Sequence, residues 1–139
     1  MIRLKKCLIG LFVVLVAFDF VLVPKSEALI SNITAWGYEQ MGDLNPEDPE
    51  KQLEYYKNAR DLYEYDNNSE GYERTKRKIG LVLGWDYEKK GDSSSDKNEK
   101  KQYYKEAIEA YEYGKCSADK ERVQEKINKL KSWLEKIFD

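Results

Sequence analysis

The stretch WDYEKKGD at residues 85–92 repeats the stretch WGYEQMGD at residues 36–43, forty-nine positions further along the chain. A longer pair behaves in the same way, because YYKNARDLYEY at 55–65 returns as YYKEAIEAYEY at 103–113, an offset of 48 positions. Within each pair, the aromatic residues hold matching positions. The chain therefore contains a unit of 48 to 49 residues at least twice.

A partial third copy occupies the carboxyl end of the sequence. ERTKRKIGLVLGW at 73–85 aligns with ERVQEKINKLKSW at 121–133 at an offset of 48 positions. All three tryptophans of the chain consequently occupy the same position of the unit. The repeat predicts a structure built from two complete units and a final half.

Apolar residues recur at helical spacing within each unit, and no stretch alternates as a half-buried strand would. Asp48-Pro49 offers a capping residue followed by a proline at the first helical position, where the missing N–H group is not needed. Gly42-Asp43 and Gly91-Asp92 predict helix ends. The serine-rich stretch after Gly91-Asp92 predicts a solvated loop, with Asp96 as the cap of the next helix. The predicted helices lie near residues 29–41, 49–65, 71–90, 97–114 and 118–137.

These five helices predict an all-α fold in which helix pairs stack on one another. A single amphipathic helix pair cannot bury its apolar face alone, so repetition gives each unit a neighbour to pack against. The final helix, with lysines between its apolar positions, would cover the exposed end of the stack. We expect one domain over residues 29–139, a short antiparallel helix-pair solenoid with one modest core.

The pattern Leu83-Gly84-x-x-Tyr87, followed by Ala107-x-x-x-Tyr111, resembles the tetratricopeptide repeat, whose unit is a pair of antiparallel helices. The first copy retains part of this pattern at Ala35, Tyr38, Gly42-Asp43, Ala59 and Tyr63. The period is longer than the roughly 34 residues of the standard unit, and the additional residues fall in a connection and in longer helices. The resemblance implies that the first helices of successive units line a concave groove that binds a peptide or a segment of another protein.

The resemblance also implies which positions of the first helices face the groove. They are Asn32, Trp36, Glu39 and Gln40 in the first copy and Leu81, Trp85, Glu88 and Lys89 in the second. Trp36, Trp85 and Trp133 would form a ladder of aromatic contacts there, since tryptophan is enriched at binding hot spots. The alternative is that the tryptophans pack between neighbouring helices, as repeated aromatic residues in solenoids do.

The first 28 residues predict an export signal that precedes the folded domain. A short basic segment precedes a nearly unbroken apolar run over residues 7–23, and the small residues Ser26 and Ala28 predict cleavage before Leu29. The alternative is an uncleaved membrane anchor, because the 17 residues of this run are at the lower limit for spanning a bilayer. Asp19 disfavours an anchor, since a carboxylate near mid-bilayer is costly. We therefore expect an exported protein, periplasmic or secreted.

Charge and cysteine content narrow the class of partner. Residues 29–139 contain 20 basic and 24 acidic side chains, interspersed, with a net charge of −4. That balance disfavours nucleic acid and anionic membranes as partners and favours another protein or a peptide. Cys116 is the one cysteine after residue 28, and we expect a buried thiol there in preference to a reactive one or a bridge between two copies.

No catalytic site, cofactor site or metal site is predicted. The chain has no histidine, so it lacks an imidazole base, a serine–histidine pair and imidazole metal ligands. Glu39 and Glu88 would act as the acid and base of an enzyme only if they met across neighbouring helices. Asp66-x-Asn68-x-Glu70-Gly71 matches half of a calcium loop, but Arg77 stands at its twelfth position, where glutamate is needed, so a capped turn is favoured.

The expected function is that of an exported, tetratricopeptide-like adaptor that binds a segment of another protein in its concave face. The alternative is a self-assembling structural protein of the cell envelope or extracellular space, a homodimer joined through the exposed ends of the stack or through Cys116. The adaptor requires an accessible groove around the tryptophans. The self-assembling protein requires an open end of the stack or an exposed thiol.

Overall fold

The computed structural model describes residues 27–138 of the 139-residue chain, and for residues 133–138 it describes the backbone only. This part of the chain forms five α-helices and no strand, which confirms the predicted all-α class. The helices are α1 (27–43), α2 (Pro49–Tyr65), α3 (Ser69–Ser93), α4 (Lys97–Tyr113) and α5 (Ser117–Phe138). The export segment predicted before residue 27 and the side chain of Trp133 lie outside the described residues.

Side-chain caps begin three of these helices. The carboxylates of Asp48 and Asp96 cap α2 and α4, and each accepts the N–H of the residue three positions further on, at 3.1 and 2.8 Å. Asn68 caps α3 in the same way by accepting the N–H of Gly71 at 3.0 Å. The polar stretch between α2 and α3 is therefore a capped turn, as its sequence predicts.

Gly91 does not end α3 as the sequence predicts, because the helix continues to Ser93. Its role is close contact, since a Cβ atom at Gly91 would lie 2.6 Å from the ring of Tyr104 on α4. Gly42 of the first unit lies similarly close to the ring of Tyr56 on α2. In both units the missing side chain gives a tyrosine of the second helix room to lie against the first.

The core lies between helices that are consecutive along the chain. On α1 and α2 it holds Ala35, Ala59 and Tyr63, and on α4, α5 and their connection it holds Tyr104, Ala107, Tyr111, Cys116, Val123 and Ile127. α3 packs against both α2 and α4. Cys116 is buried as predicted, and burial raises the pKa of its thiol. No helix among residues 27–138 has both the length and the apolar composition that crossing a bilayer requires.

Candidate binding groove

Two clusters of charged and tyrosine side chains join the first helices of successive units. The first ion cluster consists of Glu39, Asp43, Tyr56, Tyr63, Arg74 and Lys78. The second ion cluster consists of Glu88, Asp92, Tyr104, Tyr111, Arg122 and Lys126. Each member of the second follows its counterpart in the first by 48 or 49 positions, so the sequence repeat is also a repeat of contacts.

A buried glutamate is the centre of each cluster. Glu88 on α3 accepts hydrogen bonds from Arg122 at 2.6 Å and from Tyr111 at 3.0 Å, and its carboxylate lies 2.9 Å from the Lys126 amine. Lys126 also reaches Asp92 at 2.7 Å. Equivalent contacts recur around Glu39, so each cluster ties α1 to α3 or α3 to α5.

Burial and ion pairing have opposite effects on the pKa of the Glu88 carboxyl. Burial raises this pKa, but the hydrogen bonds from Arg122, Lys126 and Tyr111 outweigh it and lower the pKa to about 2. Burial also acts to raise the pKa of Glu39, but its cationic partners on α3 outweigh that effect and lower this pKa too. Both carboxylates are therefore charged at neutral pH and paired with cations.

The lowered pKa of Glu88 predicts a loss of stability in acid. Its ionised form is favoured in the folded chain, so its stabilisation is complete above the ordinary pKa of 4.5 and is lost as the pH falls towards about 2. We expect Glu88 alone to remove about 1 kcal/mol from the free energy of unfolding between about pH 6 and about pH 4. Urea unfolding at both pH values measures this, and Glu88→Gln should lose less stability over that interval than the natural chain. Equal losses in the two proteins would show that Glu88 is not the titrating group.

The two glutamates that the sequence assigned to the groove face are nearly buried in the ion clusters. Glu39 and Glu88 are only 2% and 6% exposed, and each is held by two cations within its own ion cluster. Their carboxylates are therefore occupied in joining helices. They belong to separate ion clusters, one joining α1 to α3 and the other joining α3 to α5.

Trp85 is an exposed residue that lines two surface cavities together with other predicted groove residues. Its side chain is 53% exposed on α3, although Gly84 and Glu88 of the same helix are buried. It lines a cavity of about 450 Å³ together with Leu81 and Val82 of α3. The other lining residues are Pro46 of the α1–α2 connection, Pro49 and Gln52 of α2, Tyr111 of α4, and Asp119 and Arg122 of α5.

Trp85 also contributes to a second cavity, of about 480 Å³. It is lined by Trp85, Glu88, Lys89, Asp92 and Arg122, so the two cavities share Trp85 and Arg122. The amine of Lys89 lies 5.0 Å from the centre of the Trp85 ring, in the range of a cation–π interaction. We call the surface formed by these two cavities the Trp85 groove.

The predicted residues of the first copy lie outside this groove. Trp36 is exposed on α1 at the position equivalent to Trp85, and Gln40 is half-buried one turn later, but neither lines the two cavities. Asn32 points towards the α2–α3 connection, where its amide donates to Asp66 at 2.9 Å. The predicted residues that the Trp85 groove brings together in accessible form are therefore Leu81, Trp85 and Lys89.

The walls of the groove and the cations of the two ion clusters were not predicted from the sequence. The walls come from Pro46, Pro49 and Arg122, which are distant in sequence from Trp85 and meet it only through tertiary packing. A signal for the cations was present, because Arg74 and Lys78 recur 48 positions later as arginine and lysine. Repetition of charge at fixed positions of the unit was the available clue. Comparisons of the chain with protein-family models, with curated proteins and with solved structures find no match.

Proposed function

We propose that the chain is an exported, tetratricopeptide-like adaptor that binds a segment of another protein in the Trp85 groove. The observation that carries this proposal is the exposed indole of Trp85, which lines two cavities and lies beside the apolar residues Leu81 and Val82. Aromatic side chains of this kind supply much of the energy of protein interfaces. Export is supported by the basic segment and the apolar run that begin the sequence.

The two ion clusters support a solenoid arrangement. Glu39 of α1 binds Arg74 of α3, and Glu88 of α3 binds Arg122 of α5, so the first helices of the three copies are joined side by side. A tetratricopeptide-like groove requires these helices to form one layer. The second helices then pack behind them, as the Tyr63 and Tyr111 hydroxyls near these glutamates indicate.

The chemistry of the groove favours a segment with an apolar anchor and polar flanks. Leu81, Val82 and the two prolines offer apolar surface for a side chain of the partner. Arg122 and Asp119 stand at the rim and bind one another at 2.6 Å, so the rim presents both signs of charge. This combination suits a mixed peptide better than a polyanion such as nucleic acid.

Trp85→Ala is expected to weaken binding by roughly 30-fold, the effect of losing a hot-spot residue worth about 2 kcal/mol. The measurement uses peptides selected from a displayed random library with the full chain as target, followed by titration of the best peptide by calorimetry. Tyr65→Ala is the matched control, because Tyr65 is 80% exposed but lines neither cavity of the groove. Circular dichroism must show the same helix content in all three proteins.

Two outcomes would count against the adaptor. If the natural chain, Trp85→Ala and Tyr65→Ala bound the selected peptide equally, the peptide would occupy another surface. If the library yielded no peptide that bound the natural chain, the Trp85 groove would not be a peptide site.

A further inference from the structure

The outer face of α1 carries a row of apolar side chains that no described residue covers. Its members are all exposed, by 49% to 79%, and they are Leu29, Ile30, Ile33, Met41 and, directly after the last turn, Leu44. The buried residues of α1, such as Ala35 and Glu39, lie on the opposite side of the helix. Large apolar side chains grouped in this way on one helix mark an interaction surface.

The same position of the repeat is buried in the later units. Ile30 corresponds to Ile79 on α3 and to Ile127 on α5, each one repeat further along. Ile30 is 64% exposed, whereas Ile79 and Ile127 are 2% and 5% exposed. At this position α1 therefore exposes an isoleucine that the later first helices bury, and in residues 27–138 no preceding unit covers it.

The apolar row is symmetric about Gly37. Ile33 and Met41 lie four positions before and after this glycine, and Ile30 and Leu44 lie seven positions before and after it. These offsets place all five residues on one stripe of a helix. If two such stripes packed antiparallel, Ile33 would face Met41 and Ile30 would face Leu44, so the row is complementary to a second copy of itself.

Gly37 makes no close contact with the other described residues. A Cβ atom at Gly37 would meet nothing within 4 Å, whereas one at Gly42, Gly80, Gly84 or Gly91 would meet a neighbour at less than 3.0 Å. A glycine within a helix is destabilising relative to alanine, and the equivalent residue of the second unit is Asp86. A glycine at the centre of an exposed stripe is suited to the point where a second helix approaches most closely.

The charge content of α1 favours a second copy of the chain over a lipid surface as the partner that covers the apolar row. In a chain in which 36% of the residues are charged, residues 27–43 contain no lysine or arginine, and their acidic residues are Glu27, Glu39 and Asp43. Glu39 and Asp43 are paired with Arg74 and Lys78 of the same chain. Interfacial membrane helices are rich in lysine and arginine, whereas the cores of protein interfaces are depleted of charge.

From these observations we propose that the protein forms a twofold symmetric dimer through antiparallel packing of α1 on α1, with Gly37 at the crossing point. The surface, which we call the α1 stripe, consists of Ile30, Ile33, Gly37, Met41 and Leu44. It leaves the Trp85 groove of each copy available, because none of its residues lines the two cavities of that groove.

Charge substitutions on the α1 stripe test both the contact and its antiparallel register. Sedimentation equilibrium is run on the full chain and on two double variants, Ile33→Lys/Met41→Lys and Ile33→Lys/Met41→Glu. The first places like charges opposite one another and should raise the dimer dissociation constant at least about tenfold. The second places the lysine at position 33 opposite the glutamate at position 41 of the other copy, and it should dimerise more tightly than the first.

A cysteine at the crossing point gives an independent readout. Gly37→Cys should form a covalent dimer when treated with diamide, because the two copies of position 37 would face one another across the twofold axis. Lys57→Cys, at an exposed position of α2 outside the α1 stripe, is the control and should not be cross-linked by diamide. A natural chain that is monomeric at every concentration, or one whose association is unchanged in both double variants, would overturn the proposal. Cross-linking of Lys57→Cys as efficient as that of Gly37→Cys would also overturn it.

Discussion

Glu88→Ala is expected to lower the free energy of unfolding by about 2–3 kcal/mol. The substitution removes the acceptor shared by Arg122, Lys126 and Tyr111 and leaves the buried tyrosine hydroxyl without this partner. Breaking a fully buried ion pair costs about 3–5 kcal/mol. The smaller figure applies here because the side chains of Arg122 and Lys126 are partly exposed and can turn towards water.

Urea unfolding of the two proteins at neutral pH measures this effect, with Glu109→Ala as the control. Glu109 lies on the exposed face of α4, so its replacement should change the free energy of unfolding by no more than about 0.5 kcal/mol. Glu39→Ala should resemble Glu88→Ala, since the first ion cluster repeats the second. A Glu88→Ala protein as stable as the Glu109→Ala protein would contradict the structural role given to the ion clusters.

Gly80→Ala is expected to destabilise the chain by about 3 kcal/mol, the upper part of the range for overpacking a core. A Cβ atom at Gly80 would lie 2.6 Å from the Cα atom of Gly114 and 2.7 Å from the carbonyl oxygen of Ala110. Both neighbours are backbone atoms, so no side chain can turn away to make room. α3 would have to move away from the end of α4, which carries much of the core.

Gly37→Ala is the matched control for this experiment, because it makes the same change within a helix where nothing lies within 4 Å. Alanine is favoured over glycine in a helix, so this variant should gain about 0.5–1 kcal/mol. Thermal unfolding at low protein concentration measures both variants without a contribution from dimers. Equal shifts of the midpoint in the two variants would contradict the close contact at Gly80.

The helices could be predicted from the sequence because their boundaries are set by local chemistry. Asp48 and Asp96 cap helices through their own side chains, and the repeat doubles the signal at each boundary. The prediction that Gly91 ends a helix was wrong, since glycine at that spacing equally serves close packing against Tyr104. Local pattern alone does not separate these two uses of glycine.

The groove was less predictable than the helices. Trp85, Leu81 and Lys89, which line these cavities, could be predicted from one helix, but Pro46 and Arg122 come from elements that only tertiary packing brings near. Glu88 was assigned to the groove face and lines the second cavity, but the sequence did not predict its cationic partners on α5, which make it a nearly buried centre of charge. Helical periodicity gives the direction of a side chain but not the residues that it meets there.

The measurement that tests the account most directly is the response of the tryptophan indole N–H signals to a selected peptide. The ¹⁵N-labelled chain has three such signals, one for each tryptophan, and Trp85→Phe identifies the signal of Trp85. We expect the peptide to shift the Trp85 signal strongly, because the indole lines both cavities of the groove. A peptide that left the Trp85 signal in place, shifted that of Trp36 and bound Trp85→Phe as tightly as the natural chain would contradict it.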